Sequence, residues 1–217
     1  MIGIRSPAKK PTRWTLAWAS SSERVGRFVS RFGRAWFSAV ALLLAFFVFL
    51  ASSAGAAVYY GKAEALREAF PDAEIEAKRF YLTDEQKKQI EDRGGAPLDS
   101  ALVTIHVARK GDQLLGYVFL DTHEVRTLPE TLVIVVSPSG EVERILIAAF
   151  YEPPEYEAPR RWLEQFDGRK LEPGLRINRD IQGIAGSTLT SHAVTSAVRR
   201  SLALWEVLVK EAPKSEE

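Results

Sequence analysis

Residues 131–150 read TLVIVVSPSGEVERILIAAF. The run 131–136 is unbroken β-branched and aliphatic side chain. Residues 142–150 are again rich in Ile, Leu and Val, and Pro138-Ser139-Gly140 between the two runs has turn chemistry. Two such runs joined this closely predict an antiparallel hairpin. A strand that is apolar at successive positions has both faces covered, so the first of the pair is expected in the middle of a sheet.

Working outward, residues 101–109 (ALVTIHVAR) and 114–121 (LLGYVFLD) alternate apolar and polar side chains about Lys110-Gly111-Asp112 and predict a second hairpin. Residues 74–82 (EIEAKRFYL) read as a further strand. Thr83 followed three residues later by Gln86 is a capping box, opening a polar helix that Gly94-Gly95 should stop. Pro153, Pro154 and Pro159 interrupt the chain, and 160–166 (RRWLEQF) suits a short amphipathic helix. The span 191–210 repeats Val194, Val198, Leu202, Trp205 and Val209 at three to four residues, the stripe of a helix packed on a core. The expected class is therefore α+β, an antiparallel sheet of hairpins packed with helices.

Upstream, the charge is sharply divided. The net charge of +1 on 217 residues is an average over three segments. Residues 1–34 carry eight basic side chains against Glu23, residues 35–61 (AWFSAVALLLAFFVFLASSAGAAVYYG) carry none of either sign, and residues 62–217 are net acidic. About 20 apolar residues suffice to span a bilayer as a helix. With the basic leader on its N-terminal side, the positive-inside rule orients a single transmembrane helix with the rest of the chain outside the cytoplasm. We favour a retained anchor with Tyr59 and Tyr60 at the outer interface. A signal peptide cleaved near Ala54-Gly55-Ala56 is the other reading, and both export the domain. The expected layout is a basic cytoplasmic leader (1–34), an anchor (35–61), a linker helix and start of the domain (62–100), the main domain (101–210) and a tail (211–217). Residues 62–70 are expected to prolong the membrane helix.

The chain contains no cysteine. That excludes disulfides, thiolate metal sites, cysteine-held iron–sulfur clusters and a cysteine nucleophile. A net charge near zero argues against a nucleic-acid binder.

The chemistry is expected just before the last helix, where 180–199 read DIQGIAGSTLTSHAVTSAVR. Gly183, Ala185, Gly186 and Ser187 leave the backbone open, and hydroxyls follow at Thr188, Thr190 and Ser191. With Thr190 or Ser191 as N-cap, a helix N-terminus here would present free N–H groups to an anion such as phosphate. On the residues alone, an ordinary loop leading into a capped helix is the other reading.

The stretch QGIAGSTLTSHAVTSAV resembles the flavinylation signature of the FMN-binding domain family, D-x-x-S-G-A-T continued by T-S. That family includes the G subunit of the Rnf complex and the C subunit of the sodium-pumping NADH:quinone reductase. The resemblance extends over residues 100–205, with Glu152-Pro153-Pro154-Glu155-Tyr156 where many members carry E-T-P-G. It implies FMN held covalently by a phosphoester on Thr188. Gly186, Ser187, Leu189, Thr190, Ser191, Gln182, Gly183, Glu152 and Tyr156 would lie around the cofactor. Gln182 stands in place of the family's aspartate, Ala185 in place of serine and Ser187 in place of alanine, so Ser187 and Thr190 are alternative attachment points. The resemblance further implies an ApbE-type flavin transferase, which takes FMN from FAD, and a membrane redox partner or cytochrome. An electron carrier in the periplasm, held to the inner membrane, fits that better than a self-sufficient oxidoreductase. A flavin-free envelope module with a vestigial motif is the alternative.

Among other candidates, Tyr117, Tyr156 and Trp162 are aromatic rings that would suit a flavin or a core. His106, His123 and His192 lack metal-ligand spacing, and Arg160-Arg161 and Arg199-Arg200 read as solvated faces.

Overall fold

The computed structural model describes residues 57–211. Its centre is one six-stranded sheet, antiparallel throughout, in the spatial order β1-β6-β5-β4-β3-β2. In chain order the elements are β1 (Ala57–Val58), α1 (Lys62–Ala69), β2 (Glu74–Tyr81), α2 (Asp84–Gly94), β3 (Leu102–Lys110), β4 (Gln113–Glu124), β5 (Pro129–Val136) and β6 (Val142–Phe150). There follow α3 (Arg160–Leu163), flanked by short 3-10 turns, and α4 (Thr188–Trp205), which widens into a π turn over Glu206–Lys210. This is the α+β architecture expected from the hairpin pattern.

Strand β5 lies between β6 and β4, and Leu132 to Val136 are fully buried. Their side chains alternate between two cores. Leu132, Ile134 and Val136 join the larger one, under α2 and α4, with Phe166, Val194, Val198 and Leu202. Val133 and Val135 join a smaller one on the opposite face, with Ala65 and Ala69 of α1. Each such buried aliphatic side chain contributes about 1.5–3 kcal/mol, which explains why the apolar run is continuous.

The local signals act as expected. Gln86 N–H donates to Thr83 Oγ1 at 3.2 Å and Thr83 N–H donates to Gln86 Oε1 at 3.0 Å, closing the capping box of α2. Gly95 ends that helix in the left-handed region at φ 74°.

Two expectations are corrected. The end of the apolar segment is not helical: Ala57 and Val58 pair with Phe150 and Ala149 of β6, and the N–H groups of Tyr59 and Tyr60 both donate to Ala148 O. The phenol of Tyr59 donates to Glu157 at 2.7 Å. Helix α1 therefore starts afresh after an extended Gly61 (ψ 160°) rather than prolonging a membrane helix. An open sheet edge with unpaired backbone groups captured these residues. Among the described residues no helix is long and apolar enough to cross a membrane. The leader and most of the apolar segment lie outside the described residues.

The second correction concerns the last helix. It begins at Thr188, three residues before the predicted 191, and neither Thr190 nor Ser191 is its N-cap. Ser187 holds that position without a side-chain capping bond.

Candidate functional site

The site forms where the start of α4 meets the β4–β5 turn and the segment after β6. Gly186 has φ 83°, a left-handed conformation that favours glycine, and an added Cβ there would meet no atom within 4 Å. The kink turns the chain into α4, whose first residue, Thr188, is exposed. The loop is braced from within: Ile184 N–H donates to Ser191 Oγ at 2.9 Å, and that hydroxyl donates to Ser187 O at 3.1 Å.

The clustered hydroxyls have separate surroundings. Ser187 is buried and its Oγ donates to Glu155 O at 3.3 Å. Thr190 is buried and donates to Tyr156 O at 2.6 Å. Ser191 is fully buried inside the loop brace. Thr188, by contrast, is exposed. It opens onto a cavity of about 260 Å³ lined by Arg126, Tyr156, Gly186, Ser187, Thr188, Leu189 and Thr190. Of the residues expected around the cofactor, six therefore converge on one cavity.

The other four stand behind it. Gln182 O accepts from Trp162 Nε1 at 2.5 Å and its N–H donates to Gln165 Oε1 at 3.0 Å, so Gln182 is a strut between loop and α3. Gly183 in the loop and Ser191 in the first turn of α4 do not line the cavity. Glu152 is buried beneath the β4–β5 turn, where its Oε1 accepts the N–H groups of Arg126, Thr127 and Leu128 at 3.2, 2.7 and 2.9 Å. Those bonds, the one from Thr127 foremost, hold its carboxyl below the usual range. Of the three aromatic candidates, Tyr156 alone reaches the cavity. Tyr117 is core, and Trp162 packs edge-on against Phe166.

Arg126 escaped sequence reasoning. It lies in the turn between β4 and β5, far from the motif, and the guanidinium carbon sits 4.5 Å from the centre of the Tyr156 ring. No local pattern marked it, because its importance comes from which loop faces α4.

A second missed feature is a half-buried charge cluster in that hairpin, around the buried Glu130. Arg200 on α4 donates to both oxygens of Asp121. His123 contacts Asp121 through Nδ1 at 2.9 Å and Glu130 through Nε2 at 3.2 Å. Burial opposes a charge on this imidazole, but the two carboxylates outweigh it and raise its pKa to about 9. Arg199 is buried, donating to the carbonyls of Gly94, Arg93, Glu172 and Leu175. Arg199 and Arg200 are thus not a solvated face; the α4 contact with α2 and β4 desolvated them. One signal was present: Asp121 and His123 alternate on one strand and so share a face. Among the described residues no group of three metal-ligating side chains is arranged to hold a metal ion.

An exposed hydroxyl on a glycine kink, a cation and an aromatic ring together suit a phosphate-bearing aromatic cofactor. Residues 101–203 match the family model of the FMN-binding domain. Over 120 residues the chain is 28% identical to the G subunit of the Na(+)-translocating ferredoxin:NAD(+) oxidoreductase complex of Acetobacterium woodii. That match takes in 50% of this chain and 58% of the relative's length.

Proposed function

We propose that the domain carries FMN covalently, as a phosphoester on Thr188, and serves as an electron carrier for a membrane redox complex. The observation that carries this reading is the separation of the hydroxyls. Ser187, Thr190 and Ser191 are buried and committed to the backbone, whereas Thr188 is exposed at the cavity. A transferring enzyme needs that access. Attachment would join Thr188 Oγ to the flavin phosphorus of FAD, with AMP leaving and the hydroxyl proton lost, as an ApbE-type transferase would do it. When bound, the flavin supplies one- or two-electron chemistry, and the protein supplies its placement.

The relative's membership of a ferredoxin:NAD(+) oxidoreductase complex supports the carrier role. The apolar segment between the basic leader and the domain supports an anchor, with the domain on the extracytoplasmic side. There a covalent tether would keep the flavin from being lost. The electron donor would be a membrane-embedded protein of the complex, and the acceptor a cytochrome or another of its components.

The test is co-expression with a flavin transferase, followed by peptide mass spectrometry. The peptide containing Thr188 should gain the mass of FMN, and Thr188→Val should give a folded, colourless protein. A wild-type protein that stays colourless under these conditions would favour a flavin-free assembly module instead.

A further inference from the structure

We propose that Arg126 is the positioning residue for the flavin phosphate, its guanidinium pairing with the phosphodiester anion and holding the tethered end of the cofactor in the cavity. This rests on the attachment at Thr188 proposed above. A phosphodiester keeps one negative charge, and in a half-enclosed cavity that charge needs a partner. Residues 181–191 contain no lysine or arginine. His192 is exposed and does not line the cavity. Arg126 is the one cation among the lining residues.

Its surroundings leave it free for this work. Among the described residues the guanidinium makes no ion pair. The guanidinium carbon lies over the Tyr156 ring, 4.5 Å from its centre, and among the described residues its N–H donors are unused. A planar fork of donors matches two phosphate oxygens at once. The neighbouring Glu152 carboxylate feels the Arg126 charge but forms no ion pair with it, and its Oε1 accepts the N–H groups of Arg126, Thr127 and Leu128.

Both sides of the clamp are also preorganised. Glu152 fixes the turn that carries Arg126, and Val125 N–H closes that turn on Leu128 O at 3.1 Å. Thr190 fixes the segment that carries Tyr156. The hydrogen bonds that Glu152 accepts come from main-chain N–H groups and the Thr127 hydroxyl, so replacing the Arg126 side chain leaves them in place and removes only its charge.

The test uses the full chain co-expressed with a flavin transferase, as wild type, Arg126→Gln and Arg126→Lys. Loading is read by intact mass and the phosphodiester by ³¹P NMR. The wild-type resonance should be displaced from that of a free FMN–threonine diester. Arg126→Gln should move it toward the free position, with Arg126→Lys between the two. A fully loaded Arg126→Gln with the wild-type resonance overturns the proposal while leaving attachment at Thr188 intact. Should Arg126→Gln fold by circular dichroism yet fail to load, restored loading in Arg126→Lys supports the proposal and absent rescue overturns it. If the wild type itself never gains FMN mass, the reading at Thr188 falls and the role of Arg126 falls with it.

Discussion

The guanidinium of Arg200 donates to both carboxylate oxygens of Asp121, Nε to Oδ2 at 2.8 Å and Nη2 to Oδ1 at 2.7 Å. This fork ties the middle of α4 to β4. The same helix begins at Thr188, and the same strand runs into the turn bearing Arg126. The pair thus joins the helix and the strand whose ends lead to the cavity lined by Thr188 and Arg126. Removing one member of a buried ion pair strands the other, at a cost of about 3–5 kcal/mol. The two side chains here keep slight exposure, so Asp121→Ala should cost about 3 kcal/mol in urea denaturation. A change below about 0.5 kcal/mol, typical of surface sites, would show that the pair contributes no net stability.

His123 should make stability depend on pH. Its pKa rises from 6.5 to about 9 on folding. A raised pKa means that the folded state holds the proton more tightly. Its contribution is complete below pH 6.5 and lost as pH climbs through 9. Stability should therefore fall across that window, by up to about 3 kcal/mol. His123→Gln should flatten the fall in denaturation midpoints measured at pH 6, 7.5 and 9. An equally steep fall in the variant would assign the titration elsewhere.

Glu152 binds the turn, so its loss should appear there first. Glu152→Ala leaves the amides of Arg126, Thr127 and Leu128 without their acceptor. A hydrogen bond to a charged group contributes roughly 1.5–3 kcal/mol. Hydrogen exchange of these three amides should rise at least about tenfold, while those of β5 stay protected. Unchanged exchange at 126–128 would remove Glu152 from this role.

The two threonines of the motif should behave oppositely. Thr188 is exposed and makes no capping bond, so Thr188→Val should alter stability by no more than about 0.5 kcal/mol. Thr190→Val deletes a buried bond and leaves Tyr156 O without its donor, costing about 1–2 kcal/mol. Thermal denaturation of the unloaded proteins distinguishes them. Equal losses would mean that the hydroxyl environments do not differ as described.

Gly140 closes the β5–β6 hairpin at φ 82° directly under the indole of Trp205, where an added Cβ would overlap the ring. Gly140→Ala should cost at least about 2 kcal/mol from backbone strain and overpacking together. Recovery in Gly140→Ala/Trp205→Leu would separate the two causes by removing the clash alone.

The sequence by itself determined whatever rests on neighbours along the chain. The Thr83–Gln86 capping box, the hairpins around Gly111 and Gly140, the extent of β6 and the burial of β5 were all legible. Turn chemistry, capping and side-chain periodicity act within a few residues, so each leaves a local pattern. The motif at Gly186–Thr188 is legible only through its resemblance to a family signature, since on the residues alone an ordinary loop before a capped helix fits it as well.

Only the tertiary structure decided the rest. It settled the capture of Ala57 and Val58 by β6, the burial of Arg199, the pairing of Arg200 with Asp121, and the meeting of Asp121, His123 and Glu130. It also decided which hydroxyl of the motif stays open, and that Arg126 faces it. These depend on contacts between residues far apart in the chain, whose partners no local pattern names. A charged side chain looks the same in sequence whether it ends in water or against an opposite charge. The packing of α4 across the sheet makes that choice.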